Sequence, residues 1–177
     1  MTAIVALLLL AQSGFAQARD KMVVLIFDDL PALTILPDRA YVDYLNIVTI
    51  RGLKRHRFPA TGFVNESELD ELERDRQIAN LTRRIDAKME LGNHIFSHES
   101  PNHLGAENYI ADIVRGESVT NALLRRHHTR LRWFRHPYLE TGFPASVKRE
   151  IDVGSPPMAI ASPGYHRRRR SGVCRAL

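Results

Sequence analysis

Only one cysteine, Cys174, stands in the 177 residues, so no internal disulfide framework can staple this chain. Long hydrophobic runs are equally scarce. The one near the start, Thr2 to Ala11, is too short to cross a bilayer, and no later stretch is long enough. Aromatic residues make up 7% of the chain and hydrophobic residues 44%, ordinary values for a globular protein with one sizeable core, so composition names no function. The formal net charge of +5 owes part of its sign to Arg167-Arg168-Arg169-Arg170 in a tail without periodicity, so it does not argue for an anionic partner such as nucleic acid.

What is present begins with a targeting pattern. The apolar run is followed by Ala16-Gln17-Ala18, a small-x-small cleavage signature, and residues 1–18 read as a secretory signal although no Lys or Arg precedes the run. Arg19-Asp20-Lys21 separates it from the next apolar segment, which speaks against a first core strand. The expectation is export to a periplasm or the cell exterior, with no membrane span once the signal is removed.

The chain is organised around Val23-Val24-Leu25-Ile26-Phe27-Asp28-Asp29-Leu30. A continuous apolar run ending in two carboxylates reads as a buried parallel strand delivering both acids to a sheet rim. Neighbouring side chains on a strand point to opposite faces, so Asp28 and Asp29 have different jobs. From Asp38, a plausible cap, Tyr41, Leu45, Val48 and Leu53 recur at helical spacing. Pro59 to Asn65 reads as a second strand, and the charged run Glu66 to Arg76 as a solvated loop or helix face. Ile78, Leu81, Ile85 and Met89 mark a helix laid on a sheet. Tyr109 to Leu124 reads as one further amphipathic helix, with Arg125-Arg126-His127-His128 at its negative end. Leu131 to Tyr138 is a strand running into a turn, in which Arg135 needs a carboxylate, and a helix starts between Pro144 and Ile151. Strand and helix alternating at this rhythm predict an α/β domain with parallel strands.

His94 and His98 stand four residues apart in Glu90-Leu91-Gly92-Asn93-His94-Ile95-Phe96-Ser97-His98 and converge on one metal if the backbone makes a helical turn. No Glu follows the first His, as a zincin helix would require, so a third ligand and a base must come from elsewhere. Asp28 and Asp29 can be those groups. His103, His127 and His128 read as structural or exposed.

Phe27-Asp28-Asp29, His94-x3-His98 and Arg135-x-Pro137-Tyr138, in this order, resemble the first three motifs of the polysaccharide deacetylases, the NodB-homology or carbohydrate esterase family 4 enzymes. Ala60 to Asn65 and Glu90 to His94 also look like that family, so the resemblance spans roughly residues 21 to 152. It implies a distorted, incomplete (β/α) barrel with its site at the C-terminal strand ends. It further implies a divalent metal, zinc first, on Asp29, His94 and His98. Asp28 would be the general base, Arg135 its partner, and the Tyr138 backbone N–H an oxyanion donor. The implied substrate is an acetylated polysaccharide or peptidoglycan.

The chain departs from the pattern too. Ile26 and Leu30 stand where the family has Thr and Gly around Phe-Asp-Asp, and Ile95 stands where it has Ser or Thr. Two later motifs, an acidic one with Trp and a Leu-x-His supplying the acid, are not visible after Ile151. The expected organisation is a signal over residues 1–18, a deacetylase-like domain over 19–152 incomplete at its C-terminus, and an aberrant or disordered basic tail over 153–177. A change of reading frame near Asp152 is one account of that tail: decoded one nucleotide later, Tyr165 to Ser171 can read Thr-Ile-Asp-Ala-Asp-Asp. The competing reading is a remnant that binds metal or glycan and turns nothing over.

Overall fold

The computed structural model describes residues 23–31, 38–70 and 73–160. The signal reading over 1–18, the arginine run and Cys174 lie outside the described residues.

Five strands form one parallel sheet in chain order: β1 (Leu25–Leu30), β2 (Ala60–Val64), β3 (Glu90–Asn93), β4 (Trp133–Phe134) and β5 (Ala159–Ile160). Parallel neighbours need a crossover, and helices supply it: α1 (Arg39–His56), α2 (Arg74–Asp86), α3 (Pro101–Leu104), α4 (Ala106–Arg115), α5 (Ser118–Arg126) and α6 (Ala145–Gly154). Among the described residues the sheet does not close on itself, and the architecture is a distorted, incomplete (β/α) barrel. Its main core joins Leu30, Val64, Leu69, Leu81, Ile85 and Leu91 to Leu123 and Leu124 of α5.

Several elements differ from the sequence reading. β1 is parallel as expected but is an edge strand, with Ile26 exposed, because among the described residues it pairs on one side only. α1 is capped by Asp38, whose Oδ1 accepts the N–H groups of Ala40 and Tyr41. Its buried stripe is Val42, Asn46 and Leu53, however, and Tyr41 is exposed. The single helix expected between Tyr109 and Leu124 is two, α4 and α5. They part at Gly116, where a Cβ would stand 2.5 Å from the Ile95 carbonyl carbon, so the chain turns where only glycine lets the two backbones touch. Folded structure also runs past Asp152, through the end of α6 to β5, because Ala159 N–H reaches the Arg132 carbonyl and extends the sheet.

Glu66 is the sharpest correction. The first residue of the charged run is buried, and its carboxylate accepts the Ser118 hydroxyl at 3.0 Å and the N–H groups of Val119 and Thr120 at 3.1 and 2.7 Å. It thus caps α5 from a distant loop, an acid at the positive end of a helix. Glu66→Ala takes the acceptor from the buried Thr120 N–H and from the partly buried bonds to Ser118 and Val119, and is expected to lower stability by about 2–3 kcal/mol, read from the urea midpoint. Glu66→Gln keeps an acceptor and loses less.

Candidate active site

The C-terminal ends of β1, β3 and β4 bring the three motifs together. Pairing of β1 with β2 slips between Phe27 and Leu30, and Asp29 adopts φ 55°, so the two acids are parted by a left-handed kink rather than by a plain pleat. Asp28 accepts the Nε–H of Arg135 at 3.1 Å. Asp29 turns to the histidines, with Oδ1 3.1 Å from His98 Nε2 and 3.6 Å from His94 Nε2.

One ligand atom from each of Asp29, His94 and His98 lies within 4.8 Å of the others. Donors bound to a tetrahedral zinc at about 2.0–2.2 Å stand roughly 3.4 Å apart, so the observed separations leave little to adjust. One carboxylate and two imidazoles are a donor set suited to a divalent ion with an open position.

His94 is buried, and its Nδ1 lies 2.8 Å from the Arg135 carbonyl oxygen. A carbonyl only accepts, so Nδ1 carries the proton and the Nε2 lone pair faces Asp29. Burial pushes the His94 pKa down against the pull of that carbonyl and of the two acids, which favours the neutral form a ligand must have.

The segment from His94 to His98 is not the helical turn expected of two histidines at this spacing. It is a bend in which Ile95 and His98 have φ 58° and 60°. Asn93 braces the entry, accepting Ile95 N–H on Oδ1 at 2.7 Å and donating from Nδ2 to the Ile113 carbonyl at 2.8 Å. Ile95 fills the core beside Tyr109, Ile113 and Phe134, so this side chain serves packing. Positive φ also recurs at Tyr138 and Leu139, and left-handed backbone at non-glycine residues costs of order 1–3 kcal/mol each. Its gathering at one strand rim marks a place held in shape by its surroundings.

Arg135 N–H bonds the Asn93 carbonyl at 3.0 Å, which sets the register bringing its side chain across to Asp28. Tyr138 lies in the turn Pro137–Leu139 with its ring exposed and 4.8 Å, edge-on, from that of His98. Of the remaining histidines, His103 is exposed beside Glu99 and His127 faces Asp86.

Sequence reasoning passed over His136, between Arg135 and Pro137. It is buried, its Nδ1 shares a hydrogen bond of 2.9 Å with the Tyr109 hydroxyl, and its Nε2 has no partner among the described residues. Burial pushes its pKa down to about 4. Between about pH 6.5 and 4 the unfolded chain takes up this proton and the folded one does not, so the stabilisation is complete above that window and lost within it. The loss reaches at most roughly 3 kcal/mol. His94 acts in the same direction, so the readout is a difference: from pH 7.5 to 5 the wild type should lose more stability to urea than His136→Gln, and parallel losses would remove the assignment.

A family model described as polysaccharide deacetylase matches residues 16–151. The chain belongs to the polysaccharide deacetylase family. Solved structures share its fold. A family 4 carbohydrate esterase from Streptomyces lividans, in complex with acetate, superposes with a TM-score of 0.58 at 19% identity over 81% of this chain and 62% of its own. Peptidoglycan deacetylase PdaC from Bacillus subtilis gives 0.54 at 21%, over 81% and 59%. Wild-type BA3943, a CE4 family pseudoenzyme from Bacillus anthracis, gives 0.55 at 21%, over 80% and 43%. At such identities the likeness carries the fold, and this member of the family spans between 43% and 62% of the length of those structures. No curated protein matches the chain.

Proposed function

We propose that this chain is an exported, metal-dependent hydrolase that removes N- or O-acetyl groups from a polysaccharide or from peptidoglycan. The observation that carries the reading is the convergence of Asp29, His94 and His98 within 4.8 Å, beside an Asp28 held by Arg135 at 3.1 Å.

In the mechanism Asp29, His94 and His98 would hold a divalent ion, zinc first. When bound, such an ion lowers the pKa of water toward neutrality and polarises an acyl oxygen. Asp28 is the general base that takes the proton of the attacking water. Arg135 orients it by donating to Oδ2, and the β3–β4 register puts Arg135 there. The backbone N–H of Tyr138 donates to the oxyanion that forms as the acetyl carbonyl is attacked. As the oxyanion collapses, the bond from the acetyl carbon to the sugar nitrogen or oxygen breaks and the leaving amine or alcohol takes the proton held by Asp28, with acetate released. The exposed Tyr138 ring offers a sugar an apolar face at the rim.

The test is acetate release from chitooligosaccharide, acetylated xylan and peptidoglycan, before and after a chelator and again after zinc is restored. Release that is lost and regained supports the reading. Zinc binding without release from any of the three substrates leaves the second one, a family member that binds metal or glycan and turns nothing over.

A further inference from the structure

A segment with a metal ligand at each end needs an anchor for each. His94 has the Arg135 carbonyl on its Nδ1, whereas the His98 ring has Asp29 Oδ1 at 3.1 Å from Nε2 and edge-on ring contacts with His94 and Tyr138. The direction of His98 therefore depends also on its backbone, which sits at φ 60° and relaxes if nothing holds it.

What holds it comes from α4. One oxygen of Asp112, Oδ2, accepts both the N–H and the hydroxyl of Ser97, at 2.9 and 2.8 Å. The Asp112 carbonyl accepts Phe96 N–H at 3.3 Å, and the next turn of α4 places Arg115 over the Phe96 ring at 3.4 Å. From the other side Ser67 N–H bonds the Phe96 carbonyl at 3.2 Å. The carboxylate thus grips the residue just before His98, in a loop where Ile95 brings no hydroxyl of its own.

We infer that Asp112 is a positioning residue for the metal centre, fixing the peptide before His98 so that Nε2 faces Asp29. The inference rests on the metal reading above. Without the carboxylate, Ser97 loses two hydrogen bonds to one acceptor, the left-handed backbone at His98 relaxes, and the ligand swings out of line. Asp112 is not one of the three residues whose ligand atoms converge.

The experiment measures zinc affinity by competition with a chromophoric chelator, alongside circular dichroism and thermal melting. Asp112→Ala is expected to weaken zinc binding by about 10–100-fold while keeping the wild-type spectrum, the size typical of lost support to a metal ligand. Asp112→Asn keeps an oxygen for Ser97 and recovers most of the affinity. Ser118→Ala, which removes a hydrogen bond to Glu66 at the neighbouring helix, leaves it unchanged. An Asp112→Ala protein that binds zinc as tightly as wild type overturns the inference, as does an equal loss in Ser118→Ala, which would mean general loosening. A wild type that binds no zinc overturns the metal reading and this inference with it.

Discussion

Asp28→Asn is expected to lower the rate of acetate release by about 10²–10⁴-fold while leaving zinc affinity intact, the loss characteristic of a removed general base. The substitution is nearly isosteric, and an amide oxygen can still accept from Arg135 Nε, so the contact at 3.1 Å and the site's shape survive. What disappears is the capacity to take a proton. Asp28 and Asp29 face different partners, so rate and metal affinity should separate cleanly when both are measured on one sample. If Asp28→Asn releases acetate as fast as wild type, Asp28 is not the base.

The second large effect is at Asp29. It is the one carboxylate of the proposed ligand set, and Asp29→Ala leaves the two imidazoles with an open side. Zinc affinity should fall by more than the roughly 10–100-fold seen for lost supporting contacts, since a donor itself is gone. The difference is legible without catalysis. Zinc at about 100 times its Kd stabilises a binding protein by about 2.7 kcal/mol, or roughly 5–10 °C for a chain of this size. A zinc-dependent melting shift present in wild type and absent in Asp29→Ala is the expected result. Equal shifts in the two proteins would place the ion elsewhere.

The same two residues show how far local pattern reaches. Strand periodicity brought Asp28 and Asp29 to a sheet rim and assigned them different directions, and the structure agrees on both counts. The means differ: a kink at Asp29 turns its carboxylate toward two histidines more than 60 residues away. His94-x3-His98 was legible as a pair able to share an ion, but not as a bend, because the local Asn93 turn before Ile95 is held in place by α4, through the Ile113 carbonyl and Asp112, more than a dozen residues away. Glu66 looked solvated because it opens a charged run. Its burial follows from α5, whose N-terminal donors need an acceptor and whose position no local pattern encodes.

By itself, then, the sequence determined the alternation of strands and helices, the apolar faces that make a parallel sheet, the family, and the residue types available at the strand ends. These depend on periodicity and on short motifs, which operate within a few residues. The family resemblance already paired Arg135 with Asp28 and Asp29 with both histidines; only the tertiary structure decided through which atoms they meet, and that His136 is buried with an Nε2 unpartnered among the described residues and Asp112 lies beneath the loop. Those meetings follow from sheet register and from where each helix docks, and both are set by the packing of the whole core rather than by any one segment of it.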